Sequence, residues 1–138
     1  MLWFSLLGLL IQEYVGAGIQ LIRFTSEIPE TLLVQNHLTK KWSFPKGQRK
    51  VSDLSYYETA IRSVYEETGY RLYEDYTLCD RGWTVWGKRP YWTGLMITNK
   101  TPRLQTIAWF NLTKKLLDLS CIKDVEEWKK DGMRIYCD

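Results

Sequence analysis

Hydrophobic positions fall in short bursts through the first third of the chain and then change period. Val15-Gly16-Ala17-Gly18-Ile19-Gln20-Leu21-Ile22-Arg23-Phe24 reads as a strand, with glycines where a second backbone can approach closely. Ile28-Pro29 turns the chain, and Thr31 to Gln35 makes a second short strand. Trp42 to Gly47 is a strand or loop end punctuated by Pro45 and Gly47. A helical period then takes over. Ser55-Tyr56-Tyr57-Glu58 fits a capping box and Gly69 fits a C-terminal cap. Between them Tyr57, Ala60, Ile61, Val64 and Tyr65 share one side, which is expected to pack. Thr59, Arg62, Ser63, Glu66 and Glu67 share the other, which is expected to face solvent. Leu78 to Trp86 and Tyr91 to Thr98 read as strands around a Gly87-Lys88-Arg89-Pro90 turn, and Thr106 to Phe110 as one more. Leu112 to Leu119 and Lys123 to Lys130 are helical in pattern, the latter a solvated helix with Glu126 and Glu127 in i,i+4 pairing. Strands, a central helix, more strands and a terminal helix predict a mixed α/β or α+β domain.

No repeat or linker divides residues 13–138, so they are expected to form a single domain behind a hydrophobic extension, residues 1–12. The apolar run 1–11 is about half of what spans a bilayer and lacks the flanks of a signal peptide. It is expected to pack on the domain or make a homo-oligomer contact, with membrane association as the alternative. The chain has 138 residues and a net charge of +3, from 19 basic against 16 acidic side chains. That suits a phosphate-bearing ligand, whereas a duplex-DNA binder needs a stronger basic excess. Seven Trp and nine Tyr exceed what a core of this size requires and leave rings for stacking on bases. Cys79, Cys121 and Cys137 form no C-x-x-C pair and His37 is the only histidine, which argues against structural zinc. The odd cysteine count also argues against a disulfide framework, and a reduced, cytoplasmic setting is the default expectation.

Gly47 to Tyr70 carries the candidate chemistry. A glycine-ended loop feeds a helix whose last turns bear Arg62, Glu66 and Glu67. Carboxylates beside such a loop suit Mg²⁺ or Mn²⁺, hard cations bound by carboxylates, water and substrate phosphate. Such a metal neutralises a pyrophosphate and activates a water. This stretch resembles the Nudix signature, G-x5-E-x7-R-E-U-x-E-E-x-G-U, through Gly47 and Arg62-Ser63-Val64-Tyr65-Glu66-Glu67-Thr68-Gly69-Tyr70. The Trp42 to Gly47 lead-in resembles that of mRNA-decapping and dinucleoside-polyphosphate-hydrolysing members. The resemblance covers roughly residues 14 to 130 and implies the Nudix fold, a mixed β-sheet sandwiched by helices.

It also implies Glu66, Glu67 and Arg62 as catalytic residues, and Glu66, Glu67 and Gly47 as the metal site. Two departures stand out. The first signature acid falls at Asp53 or Leu54, one residue off register, with Glu58 as an alternative brace for Arg62. Ser63 stands where the family has a glutamate that usually binds metal. A base would then come from an acid outside the signature, such as Glu74, Asp75 or Asp80.

Substrate contacts are expected from Lys46, Gly47, Arg49 and Lys50 in the entry loop, and from Trp83, Trp86, Lys88, Arg89 and Tyr91 in the basic, aromatic hairpin. The implied activity is metal-dependent cleavage of a nucleoside diphosphate linked to another group. A 5′-capped RNA end is the first expected substrate, and a dinucleoside or diphosphoinositol polyphosphate the second. The alternative from another class is an inactive Nudix module that binds RNA or nucleotide, motivated by Ser63.

Overall fold

The computed structural model describes residues 14–103 and 106–137. The run 1–11 and its expected contacts lie outside the described residues. Among the described residues, no helix is long and apolar enough to cross a membrane.

The fold is a mixed sheet built around β1, Ala17–Arg23. Antiparallel to β1 lie β2, Glu30–Gln35, and the two-residue β4, Lys46–Gly47, the latter through Ala17↔Gly47 and Gly18↔Lys46. Outside β2 run β3, Trp42–Ser43, and β7, Ile107–Asn111. On the other side of β1 comes β6, Arg89–Met96, in parallel register from Gly18↔Tyr91, followed by β5, Tyr76–Trp86. A central strand with helices on both sides needs apolar residues on both faces. All but the last residue of β1 are buried, matching the near-continuous apolar run that predicts it.

α1, Tyr56–Thr68, lies on one face, where Ala60 and Val64 meet Ala17, Ile19 and Leu21. The short α2, Lys114–Leu117, and α3, Lys123–Lys130, cover the other face, where Leu116, Val125 and Trp128 pack on Leu33, Phe44 and Tyr91. Strand plus helix content of this kind on a mixed sheet is the α+β sandwich that the sequence pattern predicts. The second pattern-predicted helix, 112–119, shortens to one turn because Leu112 is tied to the backbone of Pro29 at the end of β7.

α1 is capped at both predicted positions, although among the described residues only the serine half of the capping box forms. Ser55 accepts from the Glu58 N–H, and Gly69 takes the left-handed conformation with its N–H on the Tyr65 carbonyl. The buried stripe of α1 departs from the pattern, however. It runs through Thr59, Ala60, Ser63, Val64 and Thr68, while Tyr57 and Tyr65 stay exposed. The cause is the entry loop, which covers the Thr59–Ser63 flank that hydrophobicity alone assigns to water.

The cysteine expectation also needs correcting: Cys79 of β5 and Cys137 of the C-terminal tail form a disulfide, leaving Cys121 as a buried thiol. The odd count hid the pair because one cysteine belongs to the core. The bridge closes a sequence separation of 58 and pins the tail across Gly82, where no Cβ fits against the Tyr136 carbonyl. Its reduction is expected to cost about 2–4 kcal/mol, lowering the melting temperature by on the order of 5–15 °C, readable by calorimetry with and without a thiol reductant.

Candidate active site

The loop between β4 and α1 is organised by one buried carboxylate. Asp53, with 6% exposure, accepts the Lys50 N–H at 2.9 Å and the Thr59 hydroxyl at 2.9 Å. It also accepts Arg62 Nε at 3.0 Å and Nη2 at 2.8 Å in a two-pronged pair. The Arg62 guanidinium holds the Asp53 carboxyl well below the usual carboxylate range. Asp53 is therefore the acid that braces Arg62, and Leu54 points into solvent. Glu58 makes no bond to Arg62, whose remaining donors go to the Gln48 carbonyl at 2.7 Å and to Glu66.

Glu66 and Glu67 are adjacent in sequence and different in surroundings. Glu66 is half-exposed and faces two cations, Arg62 Nη1 at 2.7 Å and Lys50 Nζ at 3.3 Å. Glu67 turns toward β4 and accepts the Lys46 N–H at 2.8 Å through one oxygen. Burial raises the Glu67 pKa, the Lys46 N–H only partly opposing it. A desolvated carboxylate with its second oxygen free of hydrogen bonds among the described residues is chemically suited to a cation.

Ser63 lies between these acids and the sheet, with 1% exposure, and its hydroxyl donates to the Thr59 carbonyl at 2.7 Å. A Cβ on Gly47 would stand 2.3 Å from Ser63 Oγ, so the serine and the glycine are packed against each other. The Gly47 carbonyl in turn faces the Gly16 backbone, 2.3 Å from where a Cβ there would stand. Gly47→Ala is expected to cost about 1–3 kcal/mol by overpacking, partly relieved in the double variant with Ser63→Ala. Melting curves of the two single variants and the double variant check this.

Among the described residues no three His, Cys, Asp or Glu side chains converge into a ready metal cage. The donors fit a cation that keeps most of its waters, as Mg²⁺ does. The free oxygen of Glu67 is the ligand offered outright, with Glu66 beside it. Glu74 pairs with Arg71, and Asp75 holds the Arg71 N–H and the Thr98 hydroxyl, so neither joins the Glu66–Glu67 group.

The expected substrate contacts separate into groups. Lys46 and Arg89 approach the start of β1 from β4 and β6, Lys46 Cβ over Gly18 and Arg89 Nε beside Gly16 and the Gly47 carbonyl. The Lys46 amine is lowered first by burial and then by the Arg89 charge, with Asp124 and Glu67 opposing. Lys50 stands at the rim on Glu66. Arg49 is spent on structure: it donates to the Asp53 and Leu54 carbonyls and covers the Tyr56 ring at 5.0 Å. Lys88 sits at the two-residue hairpin tip with Gly87, both at positive φ, so Arg89 and Pro90 belong to β6 and not to the turn.

Trp86 packs near Tyr136 of the tail. Tyr91, expected at the binding surface, is instead buried at 2% exposure with its hydroxyl on Asp124, because it alternates inward between β1 and α3. Trp83 is half-exposed and stacks on Trp92, whose other neighbour is Tyr57. That group lies over β6 and β5, on the opposite flank of α1 from Glu67 and β4.

Sequence reasoning placed α3, Lys123–Lys130, and missed how far it is buried. Its pattern reads as a solvated helix, yet Asp124 is 1% exposed and Lys129 is buried with its amine on the Leu119 carbonyl at 2.6 Å. Asp124 accepts Arg89 Nη1 at 3.0 and 3.2 Å and the Tyr91 hydroxyl. Glu127 accepts the Gly87 N–H at 3.2 Å. The available signal was Asp124 one turn before Trp128, on the helix face that Val125 and Trp128 bury.

A loop–helix with a braced arginine, paired glutamates and a glycine-capped end, lying on a mixed sheet, matches the family model described as NUDIX domain over residues 15–127. The chain belongs to the Nudix family, and its fold is that of a Nudix-type pyrophosphohydrolase. The Ap4A hydrolase of C. elegans superposes with a TM-score of 0.72 at 19% identity, covering 87% of this chain and 96% of that one. A Nudix hydrolase from M. Smegmatis, RenU, gives 0.65 at 14% identity over 90% and 89% of the two chains. The NUDIX domain of Shewanella oneidensis NrtR, complexed with ADP ribose, gives 0.61 at 17% identity over 88% and 89%. No curated protein sequence matches the chain.

Proposed function

We propose that the protein hydrolyses a phosphoanhydride in a nucleoside diphosphate linked to a second group, with a dinucleoside polyphosphate as the substrate class its site favours. The observation that carries this reading is Glu67 held on the Lys46 N–H of β4, with the Lys46 side chain free of ion pairs among the described residues and Arg89 Nε beside the Gly16–Gly47 approach. Two cations close to an acid suited to a metal match a short, dense run of phosphates. Glu67 and Glu66 would hold Mg²⁺ or Mn²⁺, which supplies charge neutralisation and an activated water when bound. Arg62 and Asp53 keep the Glu66 end of the helix and the loop in fixed relation, and Lys50 reaches the phosphates from the rim. The likeness to an Ap4A hydrolase supports the same substrate class.

Capped RNA is the second reading, favoured by the exposed lysines Lys40 and Lys41 ahead of the entry loop. It is weakened by Arg49, whose guanidinium is committed to loop carbonyls and so lines no RNA path. The test is product analysis by mass spectrometry after incubation with dinucleoside tetraphosphate, cap-labelled RNA and ADP-ribose in Mg²⁺ or Mn²⁺. Turnover of the tetraphosphate above the other two supports the proposal. Turnover of capped RNA alone moves the assignment to decapping. Nucleotide binding with no product from any substrate would make the protein a binding module, as Ser63 first suggests.

A further inference from the structure

Arg89 is not free to swing. One nitrogen, Nη1, is held by both oxygens of Asp124 at 3.0 and 3.2 Å, and Asp124 is itself locked by the Tyr91 hydroxyl. The hairpin tip closes over this carboxylate so tightly that a Cβ on Gly87 would stand 1.9 Å from Asp124 Oδ1. Glu127, one turn on, fixes the same tip through the Gly87 N–H. Arg89 Nε lies 3.5 Å from where a Gly16 Cβ would be, a space that the Gly47 carbonyl also bounds. Lys46 approaches from β4, its Cβ over Gly18 beside the ring of Tyr91, whose hydroxyl bonds Asp124, and its amine makes no ion pair among the described residues. Asp124 thus holds one edge of the Arg89 guanidinium, while its other edge and the Lys46 ammonium carry no side-chain anion among the described residues and are left to take an arriving one.

We propose that Asp124 is a positioning residue for the substrate: it aims the Arg89 guanidinium so that its open edge and the Lys46 ammonium form a clamp for the phosphate next to the one attacked. This rests on the hydrolase reading above and adds to it a residue on α3 that touches no substrate. Fixing the arginine in advance removes the rotamer freedom it would otherwise lose on binding, so the effect falls on affinity.

The experiment is a double-mutant cycle of Asp124→Asn and Arg89→Ala, with steady-state kinetics on dinucleoside tetraphosphate and calorimetric binding of ADP. Asp124→Asn is expected to raise KM about tenfold with kcat within about threefold, and to weaken ADP binding in parallel. In the Arg89→Ala background the same change is expected to alter KM by less than about twofold. Equal effects in both backgrounds, or no KM change in either, overturn the proposal. Glu127→Gln, which bonds the hairpin backbone and pairs with Lys123 but does not touch Arg89, is the control for general loosening and should leave KM unchanged. Should Asp124→Asn fail to fold, Arg89→Lys tests the same clamp, since it keeps the charge and loses the held fork. A wild-type KM for that variant also overturns the proposal. A wild-type protein with neither turnover nor ADP binding would instead contradict the hydrolase reading.

Discussion

Glu67→Gln is expected to reduce kcat by about 10²–10⁴-fold while leaving the protein folded and at least as stable. Glutamine keeps the oxygen that accepts the Lys46 N–H and removes the negative charge that a metal requires. The rate loss corresponds to the several kcal/mol that a bound cation contributes at a phosphoryl centre. The stability side follows from linkage. Burial raises the pKa of Glu67 in the folded protein above its ordinary value, so the ionised side chain weighs against folding at neutral pH. That burden is absent below the unfolded pKa and grows as the pH rises through the folded one. The variant is therefore expected to melt at or above the wild-type temperature at pH 7 without metal. Millimolar Mg²⁺ is expected to raise the melting temperature of the wild type and leave the variant unmoved. Melting curves with and without Mg²⁺, alongside product release, check both halves.

Asp53→Asn is expected to lose about 2–4 kcal/mol of stability, as much as reduction of the disulfide. It breaks the two-pronged pair with Arg62 and removes the negative charge that the Lys50 N–H and Thr59 hydroxyl also face. Breaking a buried pair from one side costs more than the pair is worth, because the partner charge stays. Arg62 retains Glu66 and some access to water, which keeps the figure below the upper end of that range. Since Arg62 holds the folded pKa of Asp53 below its unfolded value, the contribution is present above the ordinary carboxylate range and lost as the pH falls. The stability gap between wild type and variant should be full near pH 7 and shrink progressively below about pH 4. Denaturant titrations across that interval measure it directly.

Much of this fold was legible because local chemistry and global position agree. Ser55 and Gly69 bound α1 in sequence and cap it in the structure, and the apolar run of β1 announced a strand covered on both faces. Arg62, Glu66 and Glu67 stood out through the resemblance to the Nudix signature, and the structure joins Arg62 to Glu66 while turning Glu67 toward β4. What hydrophobicity could not show is where a loop covers a polar stripe. Thr59 and Ser63 are buried because Asp53 and Gly47 fold over them, a fact of tertiary contact with no periodic signature. The same blindness hid Asp124, whose burial depends on a hairpin far away in sequence, and made Tyr91 look like a surface ring. Trp83 was legible as an exposed aromatic, but its side of α1 is decided by the β4–β1–β6 strand order.

Hydrolysis of a dinucleoside tetraphosphate in heavy-oxygen water tests the central claim most directly. The wild-type protein in Mg²⁺ or Mn²⁺ should place one heavy oxygen on a phosphate of one nucleotide product, and Glu67→Gln should yield no labelled product. Labelled product at equal rates from both proteins, or none from the wild type with either metal, would contradict a Glu67-centred pyrophosphohydrolase.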